Sequence, residues 1–502
     1  MRRKLVFHTL GNLLICLSGT MLLPLGIAAY YYFNPDAGES NLPAFVYATI
    51  ITFTVGLILR FTVKPAEPDL GIREGFAIVT LGWVVVALFG SFPYLFADVF
   101  AADNRPPLTE FAFCYFESMS GFSTTGATVL TEIESLSKAM LFWRSFSHWL
   151  GGMGIVVLAV AILPMLGVGG MQLFRAEAPG PQTDRLTPRI AQTAKLLWGV
   201  YILLSVVETV LLWLGDMNLF DALCHTFGTM ATGGFSTKNA SIAHFDSVYI
   251  ETVITVFMFI AGTNFALHYR ALRGDVKGYF KDTEFRFYCV VILISILLVS
   301  WNIFRFEHID EKVPNISVGD SIRYGTFQVL SITTTTGYGT ADFEMWPALS
   351  QFILLTLMFY GGCAGSTGGG MKQLRFLLLI KQSGAEIKRL IFPHAVLPVR
   401  VNDRVVPPEV LTHVLGFFFF FIGIFAIVTC IMATLGLDLI TAAGCTIATM
   451  GNIGPGLGDV GPIDNYADIP SIGKFILTFC MLLGRLEIYT VLILFSPNYW
   501  KK

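Results

Sequence analysis

Long apolar runs alternate with short polar breaks from one end of the chain to the other. Leu5–Phe33 and Leu42–Phe61 open the series, and Phe76–Val99 follows. Next comes a mixed stretch too short to cross a bilayer, Leu108–Ser120, which runs into F-S-T-T-G-A-T. A full apolar run, Phe142–Leu166, returns after it. A run of about 20 apolar residues is the length of a membrane-spanning helix. The order is therefore span, half-span, Gly/Thr loop, span.

That order recurs three times. Leu196–Leu214, Leu219–Met230, A-T-G-G-F-S-T and Val248–Leu267 form the second copy. Phe287–Phe304, Ser321–Ile332, T-T-T-T-G-Y-G-T and a return from Trp346 onward form the third. Leu411–Leu435, Leu439–Met450, G-N-I-G-P-G and Ile472–Phe495 form the fourth. Aligning the loops on Gly126, Gly233, Gly337 and Gly454 spaces them 107, 104 and 117 residues apart. Such regularity marks an internal repeat. The pattern predicts an all-α polytopic membrane protein: four helix–pore loop–helix repeats in one chain, a potassium-channel-like arrangement, behind two N-terminal helices. It gives ten spans and four half-helices. The expected divisions are 1–72 for the N-terminal pair, then 73–180, 181–280, 281–400 and 401–502 for the repeats.

Composition agrees. The 502 residues are 54% hydrophobic and 14% charged, with mean hydropathy +0.66, whereas soluble domains carry about 25% charged residues. The 33 basic and 35 acidic residues nearly cancel, and no nucleic-acid partner is expected. The start M-R-R-K-L resembles a signal peptide, but no small-residue cleavage site follows, so it reads as a retained first helix. Putting that end in the cytoplasm and alternating places 24 of the 33 basic residues inside, as the positive-inside bias requires. Both termini are then cytoplasmic. All four Gly/Thr loops face outward, near Glu132, Glu134, Asp246, Asp342, Asp459 and Asp464. An acidic outer face concentrates cations.

The loops carry the candidate chemistry. Thr and Gly are poor interior helix residues, and irregular backbone at membrane depth survives only inside protein or along a watery cavity. A half-helix ending at mid-membrane points its negative C-terminal dipole inward. The glycine that follows lets carbonyls turn toward an axis, where they can replace the water shell of potassium. Thr125, Thr232 and Thr336 precede three of the glycines, Ile453 the fourth, and Pro455 follows Gly454. Only the third loop has the full T-x-G-Y-G pattern, so the ring is expected to be uneven and its discrimination modest.

Two further features stand out. G-G-C-A-G-S-T-G-G-G spans Gly361, Gly362, Gly365, Gly368, Gly369 and Gly370, with Met371 and Lys372 after it. It interrupts the third return helix just inward of its loop, where a flexible segment would act as a gate or as a hinge between packed half-helices. Arg485 lies well inside the last apolar run, roughly 20 Å from its start at 1.5 Å per residue. An intramembrane charge marks an ion path or a paired partner. Opposing cations in the pore, bonding the 361–370 carbonyls, and pairing with Glu487 or another acid all fit, although i,i+2 residues share no helix face.

Other signals fall away. Gly456-Leu-Gly458-Asp-Val-Gly461 matches G-x-G-x-x-G but follows no strand, and the chain has no G-x-x-x-x-G-K-[ST] motif. The eight cysteines are scattered, without C-x-x-C or a Cys/His cluster. His148 and His225 read as structural. No catalytic constellation emerges, and no cofactor is expected on this chain.

Several motifs resemble one family closely: H-W-L-G-G-M-G-I-V-V-L-A-V-A-I-L-P (148–164), Q-L-F-R-A-E (172–177), T-T-G-A-T (124–128), G-T-N-F-A-L-H (262–268), G-G-C-A-G-S-T-G-G-G-M-K (361–372), N-I-G-P-G-L-G (452–458) and G-R-L-E-I-Y-T (484–490). They resemble the TrkH/TrkG-type potassium-uptake proteins of the Trk/Ktr/HKT superfamily, over nearly the whole chain. The resemblance implies potassium uptake across the bacterial inner membrane by a homodimer with one pore per subunit. It also implies a cytosolic TrkA-type ring that binds nucleotides such as NADH or ATP. The family's filter falls on Thr124, Thr125 and Gly126; Ala231, Thr232 and Gly233; Thr335, Thr336 and Gly337; and Asn452, Ile453 and Gly454. Its gating loop falls on Gly361–Gly370, and its arginine on Arg485. Ala231, where threonine is expected, and Met450-Gly451 depart from the pattern. The rival to a channel-like pore is a symporter coupled to H⁺ or Na⁺, for which Glu117 is the candidate titratable carboxylate.

Overall fold

The computed structural model describes residues 2–63, 71–101, 106–161, 186–307, 317–402 and 404–501. The described residues are mainly helical, and among them one two-residue hairpin pairs Arg400 with Val405 and Val401 with Arg404. Six helices among the described residues are long and apolar enough to cross a membrane: Arg3–Phe33, Leu42–Thr62, Arg73–Phe96, Gln192–Leu214, Thr283–Arg305 and Pro408–Thr434. The first two pack as an antiparallel pair through Gly11 and Gly56, where an added Cβ would meet backbone at 2.8 to 3.0 Å. Small residues permit that approach in an apolar medium.

Each repeat contributes a half-helix that stops inside the bundle: Pro107–Phe122, Leu219–Met230, Val318–Thr333 and Leu439–Met450. Their starts are legible locally. Asn218, Ser317 and Asp438 cap the last three, accepting bonds from Asp221, Asp320, and Ile440 with Thr441, while the first opens on proline, whose missing N–H costs nothing there.

The return helices differ from the expectation of unbroken spans. Lys138–Ala161 is continuous; the end of the expected span Phe142–Leu166, the Gln172–Glu177 motif and the 180/181 division lie outside the described residues. The second return breaks between Ala261 and Phe265 with a 101° bend, and the fourth between Arg485 and Tyr489 with a 111° bend. Among the described residues, counting each bent pair as one gives eight spans by length and apolar composition alone, a count that leaves out the first and third returns. The third return stops at Phe359 and resumes as Gln373–Ile391. The breaks converge on one level, where the 361–370 segment lies. Backbone groups freed by the second break find partners in that segment, Gly262 accepting the Cys363 amide and Phe265 donating to the Gly365 carbonyl, which is what permits that break. Arg485 accordingly ends a helix instead of sitting within one.

The core gathers around the half-helices. Trp143, Tyr338, Phe116 and Phe235 are fully buried beside the loops, and the Trp143 indole donates to the Gly90 carbonyl at 3.0 Å.

Candidate ion-conduction site

The four half-helices end alike. Ser123, Ala231, Thr334 and Gly451 cap them in right-handed conformation. The next residue in each loop is left-handed: Thr124, Thr232, Thr335 and Asn452, with φ of 53°, 54°, 61° and 53°. Two residues later comes a left-handed glycine: Gly126, Gly234, Gly337 and Gly454, with φ of 82°, 77°, 79° and 100°. Between them, the amides of Thr125, Gly233, Thr336 and Ile453 donate back to Ser120, Gly228, Ser331 and Ala448 at 2.8 to 2.9 Å.

This corrects the second loop by one residue. Gly234, not Gly233, is the counterpart of Gly126, and the spacings become 108, 103 and 117 residues. With two adjacent glycines the sequence offers no sign of which takes positive φ; the bond from the Gly233 amide to Gly228 decides. Thr232 then occupies the threonine position, so Ala231 is a helix cap and no departure. The true substitution is Gly233, opposite Thr125, Thr336 and Ile453.

The loops close into one ring. A Cβ built on Gly126 would strike the Gly233 carbonyl oxygen, on Gly234 that of Thr336, and on Gly337 that of Ile453. On Gly454 it would lie 2.9 Å from that of Thr125. Each glycine thus backs onto the carbonyl of the next loop, around all four. Only glycine fits, both for space and for its backbone angles. Asn452 adds a link, its Nδ2 donating to Thr125 Oγ1 and the Met481 carbonyl, both at 2.9 Å.

Side chains hold the loops from behind. Tyr338 is buried, and its hydroxyl donates to the His225 carbonyl at 2.9 Å. Tyr466 donates its hydroxyl to the Gly454 carbonyl at 2.7 Å and its amide to that of Thr128 at 2.8 Å. His225 spends Nδ1 on the Asp221 carbonyl (2.7 Å) and receives the Ser236 hydroxyl at Nε2 (2.9 Å). His148 donates Nδ1 to the Gly121 carbonyl at 2.7 Å and stacks on Phe235 at 4.1 Å. Glu117 forms an ion pair with Arg144 at 2.7 Å, so it does not stand as a lone carboxylate.

The 361–370 segment lies directly beneath. The Gly369 amide donates to Thr335 Oγ1 at 2.6 Å, and Thr367 Oγ1 to the Met230 carbonyl at 3.0 Å, the last residue of the second half-helix. Arg485 donates Nη1 to the Thr367 carbonyl at 2.8 Å and Nη2 to that of Gly151 at 3.3 Å. Arg485 thus bonds the loop and not Glu487, which pairs with Arg375. Lys372 Nζ bonds the Gly368 carbonyl. Gln373 donates Nε2 to the Gly361 carbonyl at 3.0 Å.

Three residues escape the sequence reading. Arg144 is a charge in an apolar helix, the very signal that singled out Arg485. Glu284 Oε1 accepts the amides of Ala364 (2.6 Å) and Leu374 (3.1 Å), clamping both flanks of the segment. Tyr466 sits in a long polar loop with no local mark.

Comparison with known proteins adds identity to this geometry. The family model described as TrkH, cation transport protein, matches residues 41–502. The Trk system potassium uptake protein TrkH of Salmonella typhimurium is 42% identical over 504 residues, covering 100% of both chains. TrkG of Escherichia coli K12 is 36% identical over 500 residues, covering 99% of both. The crystal structure of the potassium transporter TrkH from Vibrio parahaemolyticus matches at a TM-score of 0.88 and 37% identity, with 100% of each chain covered. Architecture, ring and relatives agree, and the chain belongs to the TrkH family of cation transport proteins.

Proposed function

We propose that this protein takes up potassium across the bacterial inner membrane through the ring of four loops. The observation that carries the reading is the closed cycle in which each left-handed glycine backs onto the next loop's carbonyl. Among the described residues none donates a hydrogen bond to the carbonyls of Thr125, Thr336 or Ile453, and the Gly233 carbonyl has only the His148 imidazole beside it. Buried carbonyls normally find donors. Three left without one, on a common ring, are ligands for a desolvated cation. The half-helix C-termini behind them add negative potential, and the potassium uptake named for the relatives fits that chemistry.

The 361–370 segment is the gate in this reading. It lies across the inner end of the ring, and Arg485 and Lys372 hold it by its carbonyls. Opening requires those bonds to exchange, driven by a cytosolic nucleotide-binding subunit of TrkA type, with the protein working as a homodimer. Potassium is the cargo, and the chain itself performs no catalysis.

The test is current recording from proteoliposomes under a potassium gradient. A reversal potential that follows the potassium equilibrium value supports the reading. One that moves with pH or Na⁺ makes the protein a coupled symporter. Unchanged flux after shortening of the 361–370 segment would remove the gate.

A further inference from the structure

Nine residues before each left-handed glycine, the half-helices carry Glu117, His225, Gln328 and Cys445. All four are buried. The first three brace their own loop from behind. Thr128 donates to both Glu117 oxygens at 2.9 and 3.1 Å, and the Val129 amide to Oε2 at 3.0 Å. Ser236 bonds His225 at 2.9 Å, and Gln328 donates to the Ala341 carbonyl at 3.1 Å. Glu117 alone is charged, and it alone reaches sideways. Its partner Arg144 donates Nε to Oε1 at 2.7 Å and Nη1 to the Ser236 carbonyl of the second loop at 2.8 Å, with its guanidinium 3.6 Å above the Phe235 ring. Phe235 directly follows Gly234. One ion pair, 0% and 2% exposed, therefore ties the first loop to the second.

We infer that the Glu117–Arg144 pair positions the first two loops for ion discrimination, setting the preference for K⁺ over Na⁺ without touching the ion. The inference rests on the ring being the filter. Discrimination by carbonyls depends on how far the ring resists closing around the smaller ion. The second loop has most need of a brace, because it carries Gly233-Gly234, the most pliable pair in the ring. A rigid charged link to the first loop supplies it. The third and fourth loops have other ties: Tyr338 to the second half-helix, and Tyr466 joining the first and fourth loops.

The test is the bi-ionic K⁺/Na⁺ permeability ratio in proteoliposomes for Glu117→Gln and for Glu117→Gln/Arg144→Met. Groups that only orient a first layer of ligands typically act by 10–100-fold, so the ratio should fall about tenfold in Glu117→Gln. The double variant leaves no lone buried charge and decides the matter if the single one does not fold. Its ratio should fall as well, because the bond to Ser236 is lost. A wild-type ratio in the double variant overturns the inference, and so does lowered thermal stability with an unchanged ratio, which would leave the pair a purely structural role. Gly337→Ser, measured alongside, separates the two ideas. If it collapses the ratio while the pair variants do not, this inference alone fails. If it too leaves the ratio intact, the filter reading fails.

Discussion

Two glycine-rich segments meet at the centre of this protein and treat their carbonyls in opposite ways. In the ring, the carbonyls of Thr125, Thr336 and Ile453 receive no hydrogen bond from any described residue, and that of Gly233 has only the His148 imidazole beside it. In the 361–370 segment directly below, the carbonyls of Gly361, Gly362, Cys363, Gly365, Thr367 and Gly368 all receive one. Their donors are Gln373 (side chain and amide), Ser366, Phe265, Arg485 and Lys372. Buried backbone is costly unless paired. The ring leaves most of its oxygens for a cation; the segment pairs most of its own. Composition does not separate the two, since both are Gly/Ser/Thr stretches. Donors from other elements do, and they make one a ligand set and the other a plug held by exchangeable bonds.

The contrast predicts that variants of the ring alter which ion passes, and variants of the segment alter how fast. The largest effect belongs to Gly337→Ser. A Cβ there meets the Ile453 carbonyl, and left-handed backbone adds ~1–2 kcal/mol for a non-glycine residue. Potassium selectivity, read as the bi-ionic permeability ratio, should fall at least tenfold, which corresponds to about 1.4 kcal/mol. Arg485→Ala comes next. It frees the Thr367 carbonyl, a charged-donor bond worth about 1.5–3 kcal/mol, so potassium flux without the regulatory partner should rise about tenfold. Its permeability ratio should not change; a fall would erase the distinction between the two segments. Glu284→Gln can turn an amide N–H toward the Ala364 and Leu374 amides in place of the accepting oxygen, and the same flux assay should show a rise of about threefold, the equivalent of ~0.7 kcal/mol.

The smallest effect is at the outer face. Glu344 and Asp464 are held above the usual carboxylate range, first by partial burial and then by Asp342, Asp459 and, for Glu344, Asp464. Each opposes a further negative charge. As pH falls, these two take up protons before an ordinary carboxylate with pKa near 4 does. The outer face therefore loses charge first at Glu344 and Asp464 as the medium is acidified. Potassium uptake from low external potassium should drop by less than about twofold between roughly pH 7 and 5 at low salt. Glu344→Gln should flatten that dependence, as seen in uptake measured across pH.

Much of the molecule is readable along the chain. Apolar runs at span length, interrupted by T-T-G, T-G-G, T-T-G-Y-G and N-I-G, give the four repeats, because a membrane permits a helix to stop at mid-depth only where something buries its end. The cost of glycine in a helix marks 361–370 as irregular, and the cost of a buried charge marks Arg485. Local chemistry therefore determines where the backbone must leave the helix.

The partners of those irregular segments were decided by tertiary structure. Which glycine of Gly233-Gly234 turns left-handed depends on a bond to Gly228 and on the carbonyl of a loop 103 residues away. That Arg485 holds Thr367 while Glu487 turns to Arg375 follows from a 111° break that no spacing announces. That Glu117 serves the first two loops follows from Arg144 on the neighbouring helix. Propensity and burial act within a few residues and leave their mark in sequence. Pairing of carbonyls and charges is settled between separate elements, 27 residues apart for Glu117 and Arg144 and 118 for Thr367 and Arg485, where only the packed bundle brings donor and acceptor together.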